Sequence, residues 1–558
     1  MSQSEIDDQA RPASPTQLMP CGAALSGAEA LAWGVCAAKV GLMTGYPGAP
    51  ATEVYDAVMA RTQRDLSAYW APNEKAAVEV ALGASLAGMR ALVVLKSVGL
   101  NVALDPLATA AYSGCHAGLV ILLGDDPGGW SSQNEQDSRW LARAAELPLV
   151  EPIDGDNAAS FMVQAFAWSE AIGLPVIVRV TPSLVGRRCV AAPPWELPPS
   201  HKQFAHREDR WVVLPATVVA RRRTLHRKLR LMRHSLEASP YDRATLRGSL
   251  GVLAVGAAYA KVVDLLGDAE RDCSLLGLTS VHPLPEEALK LWLGHCSRVL
   301  VLEEGGPFVE HGLRALAQRA HLRTQIAGRQ DHVLPEEGEL SGRDIAMALR
   351  RLDPSIALPV PETLAREMPS TAGLCPQCLY APAFAALAAA MHRTGGRRRY
   401  LVTGETGCMV RAHGSAVRLD VKLSLGASLG LALGLAEATE RQRVVALVGD
   451  SSFFHSEVTA LPLVIDRGLD LTVVVLDNGL TGLTGGQPHP GSAPQGRPTR
   501  LADCCRAMGI EPTVVVMASD GQQALESTLA TALTQPGVRM VVLEAPCPRY
   551  NPLEVERL

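Results

Sequence analysis

Five runs of strand length, ALVVLKS, AGLVILLGD, VIVRVTP, VVALVGD and LTVVVLDNG, are apolar at consecutive rather than alternate positions. A strand that faces water on one side alternates, so continuous runs mean burial on both faces. The segments beside them carry helical patterns, such as AALSGAEALAWGVCAAKV, and NEKAAVEVALGASLAG with Val78, Leu82, Ser85 and Leu86 on one face. Strands of this kind alternating with helices predict parallel sheets covered on both sides, an α/β chain. Ligands of such sheets sit beyond the carboxyl ends of the strands, where the polar loops after these runs fall.

A chain of 558 residues has room for several domains, and the pattern divides it into three α/β units. The first spans 21–190, after a polar, acidic stretch over 1–20 that reads as a disordered tail rather than a signal peptide. The second spans 249–357 and the third 358–558, opening at the Pro-rich LPVPET. Between the first two, residues 191–248 form a basic linker. It includes Arg221 to His234, fourteen residues of which nine are Arg, Lys or His. That stretch reads as an amphipathic helix with a solvated basic face, or as a contact for phosphate groups or an acidic partner. Aromatics make up only 4% of the chain and the net charge is −5, which gives no footprint for nucleic acid. No apolar run reaches the roughly 18 residues of a membrane span, so a cytoplasmic protein is expected.

The most specific stretch runs from Val444 to Gly491. A buried strand ends in Gly449-Asp450-Ser451, and a second ends in Asp477-Asn478. Asp450 and Asn478 are 28 residues apart, the length of one strand–helix–strand crossover, which places both at the carboxyl ends of neighbouring strands. A carboxylate, an amide oxygen and a backbone carbonyl converging there make a hard oxygen site suited to Mg²⁺ with a diphosphate. Gly449 lets the chain approach the phosphates, and a helix starting near Ser452 offers them free N–H groups.

GDSSFFHSE…LDNGLTGLTGGQPHPG resembles the thiamine-diphosphate fingerprint in the form found in indolepyruvate oxidoreductases. TGYPGAPATEV, NEKAAVEVALGASLAG, KSVGLNVALDP and GDDPGGWSSQNEQDSR are similar to that family's first domain, and DRWVVLPA and VLEEGGPFVE to its middle domain. The resemblance implies three doubly wound parallel-sheet domains of the thiamine-diphosphate enzyme type. The first (21–190) would be pyrimidine-binding, the second (249–357) transketolase-C-terminal-like and the third (358–558) diphosphate-binding. It makes Asp450, Asn478 and the Leu480 carbonyl Mg²⁺ ligands, and it puts Gly449, Ser451, Gly45, Tyr46 and Pro47 at the cofactor. Ser451 replaces the last Gly of the usual fingerprint. Thiamine catalysis also needs a carboxylic acid beside the aminopyrimidine. Glu74 and Glu79 are the candidates, and position together with resemblance selects Glu74, whose other role would be to favour the helix dipole.

Cys375 and Cys378 (CPQC), Cys408 (TGETGC) and Cys547 (EAPC) bracket the third unit. A CxxC pair with two distant thiolates can hold a [4Fe–4S] cluster, a zinc ion, or no metal at all. The arrangement resembles the cluster nearest thiamine in pyruvate:ferredoxin oxidoreductases, which favours one [4Fe–4S] cluster. The family's further ferredoxin-like segment, with two CxxCxxCxxxCP runs, has no counterpart in the sequence. The cluster is therefore expected to pass electrons to a separate acceptor protein or ferredoxin.

The resemblance implies oxidative decarboxylation of a 2-oxoacid, such as indolepyruvate, to an acyl-coenzyme A. It also implies a smaller beta subunit and a homodimer of this chain within a heterotetramer. A non-redox thiamine decarboxylase or carboligase and a non-catalytic scaffold subunit are the alternatives.

Overall fold

A computed structural model describes residues 24–551, apart from 62–65, 205, 207, 268–272, 357, 359, 362–372, 413–415, 440–441, 493–496 and 518–520. The tail over 1–20 and part of the LPVPET boundary lie outside the described residues.

The chain is α/β, as expected, and its continuous apolar runs are central strands. In the first sheet the order is Ser280–His282, Leu149–Val150, Val176–Val180, Leu119–Gly124, Ala91–Lys96, Leu42–Gly45 and Ser67–Trp70. Every pairing is parallel except the first, where Ser280–His282 runs antiparallel to Leu149–Val150. That edge strand comes from the second unit, so the two are joined by main-chain hydrogen bonds as well as by packing. One apolar core runs through both, from Leu25 to Ile326.

The second sheet is ordered Gln325–Ala327, Arg298–Leu302, Leu250–Val255, Ser274–Leu278 and Arg243–Ala244. The third is ordered Val421–Lys422, Tyr400–Gly404, Arg443–Gly449, Leu471–Asp477, Val538–Glu544 and Thr513–Val516, with all strands parallel.

The basic stretch is a helix, Val218–Leu236. It is less detached than a linker, because Leu225, Met232 and Leu236 are buried in the core of the first unit. Lys228 Nζ donates to the Gly173 carbonyl at 2.8 Å, and the Arg222 and Arg223 side chains stay exposed.

GDDPGGWSSQNEQDSR fastens the first unit to the second. Arg139, fully buried, binds Asp137 at 2.7 Å and Glu303 at 2.5 Å. Arg179 binds Asp125 at 2.5 Å and Glu151 at 2.8 Å, and donates to the Glu304 carbonyl. A buried charge is tolerated only when it is paired and hydrogen-bonded, and each of these has partners on both sides of the junction.

Candidate active site

The carboxyl ends of the first and third sheets face one another across a cavity of about 300 Å³. Tyr46, Pro47, Glu74 and Lys96 line it from the first unit; Tyr380, Cys408, Gly449, Asp450, Ser451, Asn478 and Leu480 line it from the third. Both walls come from one chain. Tyr46 and Ser451 hydroxyls lie 2.9 Å apart, and Thr406 donates to Gln133 at 2.8 Å. Closing the site therefore does not itself call for a second copy.

Glu74 opens the helix Glu74–Leu86. Asn73 caps that helix by accepting from the Ala76 amide, and its own amide donates to the His455 carbonyl of the third unit at 2.9 Å. Glu74 is buried, and its Oε2 lies 2.8 Å from His455 Nε2. Glu79, one turn further on, is half exposed and paired with Lys75. The geometry thus separates the two carboxylates that the sequence left in competition: only Glu74 reaches the cavity.

Across from it, the Arg443–Gly449 strand runs directly into a helix at Asp450, two residues earlier than expected. The Ser451 amide donates to Asp450 Oδ1 at 2.8 Å, so that N–H is already taken. Asp450 Oδ2 accepts from the amides of Asn478 and Gly479, at 2.9 and 2.7 Å, and lies 3.1 Å from His489 Nε2. Gly479 has φ +72°, a conformation that suits glycine and lets the chain turn beneath the carboxylate. Burial, followed by the charge of Asp450, raises the Asp477 carboxyl. Gly45 is not on the cavity wall: it packs against Val94, whose carbonyl oxygen would lie 2.1 Å from a Cβ there.

Cys375, Cys378, Cys408 and Cys547 line a second, smaller cavity of about 30 Å³ with Arg411. Burial pushes the Cys408 thiol up to about 12, with Cys378 and Cys547 adding to the shift. Among the described residues, no three His, Cys, Asp or Glu side chains close on a single metal ion. Cys408, Tyr380 and Asn478 belong to the walls of both cavities. Cys505 is buried against Met540 and Cys504 is half-buried, away from both.

The donor set fits Mg²⁺ diphosphate: Asp450, Asn478 and Leu480 stand together on the cavity wall, with Asp450 Oδ1 accepting from the Ser451 amide and the same carboxylate meeting Asp477. The Tyr380 hydroxyl is buried without a partner, as befits a site whose ligand brings an acceptor.

Four residues escaped the sequence reading. His455 and His489 bind the two key carboxylates. Glu405 is fully buried and accepts from the Gly449 and Gly426 amides at 2.7 and 2.8 Å. Glu457 accepts from the Ser428 and Leu429 amides. Each lies within or beside a quoted motif; for His455 and Glu457 a polar residue in a helical turn was the available signal, whereas Glu405 and His489 sit in loops that carry none.

Two family models match: pyruvate flavodoxin/ferredoxin oxidoreductase, thiamine diphosphate-binding, over residues 33–220, and the C-terminal thiamine pyrophosphate-binding domain over 386–543. With the facing sheets, they define a thiamine-diphosphate oxidoreductase. Indolepyruvate oxidoreductase subunit IorA of Archaeoglobus fulgidus is 33% identical over 550 residues, 94% of this chain and 86% of that protein. Its counterpart in Methanothermobacter thermautotrophicus is 34% identical over 539 residues, with the same coverage. The chain belongs to the indolepyruvate oxidoreductase IorA family. A solved 2-oxoglutarate:ferredoxin oxidoreductase from Magnetococcus marinus is 16% identical, with a TM-score of 0.49, covering 63% of this chain and 69% of that chain.

Proposed function

We propose that this chain carries out thiamine-diphosphate-dependent oxidative decarboxylation of a 2-oxoacid, an aryl pyruvate such as indolepyruvate, and delivers the acyl group to coenzyme A. The observation that supports this best is the wall shared by the two cavities. Cys408 faces both the space between Glu74 and Asp450 and the space among the four thiols. On this reading 21–190 is the pyrimidine-binding domain, 249–357 the transketolase-C-terminal-like domain and 358–558 the diphosphate-binding domain.

Thiamine diphosphate, when bound, supplies the carbon chemistry that lets a 2-oxoacid release CO₂ and leave its electron pair behind. Asp450, Asn478 and the Leu480 carbonyl would hold Mg²⁺ and through it the diphosphate, beside Gly449 and Ser451. Glu74 presents its carboxyl on the opposite wall, where the aminopyrimidine would lie, flanked by Tyr46 and Pro47. The Lys96 ammonium, also on the wall, offers a counter-charge to the substrate carboxylate. Cys375, Cys378, Cys408 and Cys547 would hold one [4Fe–4S] cluster at the electron exit. A smaller partner subunit and a separate acceptor protein or ferredoxin complete the assembly.

Protein prepared anaerobically with iron and sulfide is expected to contain about four irons per chain. Its broad visible absorbance should bleach when a 2-oxoacid is added with thiamine diphosphate and Mg²⁺. Preparations that bind the cofactor yet hold no iron would replace this reading with a non-redox thiamine decarboxylase or carboligase.

A further inference from the structure

Glu74 is not left alone in its pocket. Its Oε2 meets His455 Nε2 at 2.8 Å, and both side chains are almost wholly buried. The other ring nitrogen, Nδ1, lies 3.0 Å from Ser456 Oγ, and Ser456 Oγ donates to the Gly426 carbonyl at 3.3 Å. A carbonyl can only accept, so in that contact the single hydroxyl proton of Ser456 goes to Gly426. With that proton given to Gly426, Ser456 Oγ accepts from His455 and Nδ1 carries a proton; a hydroxyl turned to Nδ1 instead would leave the ring protonated on Nε2. With Nδ1 protonated, two arrangements of the Glu74 contact remain. Either a neutral ring accepts from a protonated Glu74, or an imidazolium donates to a Glu74 carboxylate. Both hold one proton between Oε2 and Nε2, and passing from one to the other moves that proton across the bond and nothing else.

The main chain fixes this geometry from both sides. Asn73, next to Glu74, donates to the His455 carbonyl. His455 itself sits in a π-helical turn, Phe453–Glu457, within the helical run from Asp450 to Arg467. Such a turn re-aims a side chain within an otherwise regular helix. The Tyr46 ring packs edge-on at 4.9 Å. Charged or titratable groups near the pair include Tyr46, Asp450, Glu405 and Glu457, and Lys96 lies on the same cavity wall as Glu74. Tyr46 stays a neutral phenol because burial raises it, and burial likewise raises Glu405 and Glu457.

We propose that His455 is a positioning residue for Glu74, retaining one proton within the Glu74–His455 hydrogen bond so that the carboxyl meets the aminopyrimidine with that proton in reach. This rests on Glu74 being the cofactor's acid, and it names the group that keeps the acid charged with its proton.

Two measurements test it. In cofactor-free protein labelled with ¹⁵N-histidine, the ring signals lost in His455→Gln identify His455. Nδ1 should carry a proton, and Glu74→Gln should shift Nε2 of that ring. A ring protonated on Nε2 alone would overturn the proposal without any reference to thiamine. In cofactor-loaded protein, His455→Gln should keep the thiamine diphosphate Kd within about threefold. Hydrogen exchange at the thiazolium carbon should slow by roughly tenfold or more, below the full effect of losing a positioned acid, with an altered pH profile. Unchanged exchange and an unchanged profile in His455→Gln would also overturn it. If instead Glu74→Gln itself exchanges normally, the assignment of Glu74 as the acid falls, while the ring-proton result still stands on its own.

Discussion

Glu74 can occupy the cavity wall because residue 99 has no side chain. A Cβ at Gly99 would lie 2.5 Å from Glu74 Oε1 and 2.7 Å from its Cγ. Gly99 lies in the helix Ser97–Ser113, which alanine should stabilise by about 0.5–1 kcal/mol through its backbone alone, so displacement of the carboxyl can be told apart from unfolding. Gly99→Ala is expected to melt close to wild type while losing on the order of 100-fold in thiamine-dependent turnover; full activity would separate Glu74 from the chemistry. Asp450 calls for a gentler change than alanine, since its carboxylate collects the Asn478 and Gly479 amides. Asp450→Asn keeps an acceptor and removes the charge. Calorimetry with Mg²⁺ present should then show much weaker thiamine diphosphate binding, and undiminished affinity would remove Asp450 from the metal site.

Glu405 joins three elements: the end of one strand through Gly449, the loop before the helix Ser428–Ala438 through Gly426, and the turn at Ser452. Its burial pushes the carboxyl up to about 8 from 4.5. The folded protein then binds a proton that the unfolded chain has already released, so stability falls as pH rises from about 4.5 to about 8. Glu405→Gln imitates the protonated acid, and its melting temperature should depend less on pH across that window than that of wild type. Parallel curves would show that Glu405 is ionised throughout.

The central strands were legible in the sequence because burial on both faces leaves an unbroken apolar run. Asp450 and Asn478 were legible because strand ends and crossover length fix their positions. Ser67–Trp70, with exposed and half-buried positions alternating, and the two-residue Leu149–Val150 carry too little pattern to be read. The pairings of His455 and His489 were hidden for another reason. Each depends on where two distant segments meet, and periodicity within a segment does not encode that.

At the scale of the whole molecule, the junction between the first two units is electrostatic at its centre. Arg139→Ala would leave Glu303 and Asp137 buried without their cation, at a cost of about 3–5 kcal/mol. A large fall in melting temperature is expected, with the iron content of the anaerobic protein preserved because the thiols lie elsewhere. A melt within a degree or two of wild type would mean that the network is wet in solution. The antiparallel Ser280–His282 strand adds a matter of timing. On the ribosome, the strands from Leu42 to Val180 emerge long before their last neighbour, so the hydrogen-bonding edge at Leu149–Val150 stands open while about a hundred more residues are made. A nascent chain in that interval has an unpaired edge to guard, the kind that invites another chain to dock. A truncation ending at residue 248 should therefore self-associate where one ending at 357 does not, and light scattering of the two fragments would read the difference directly.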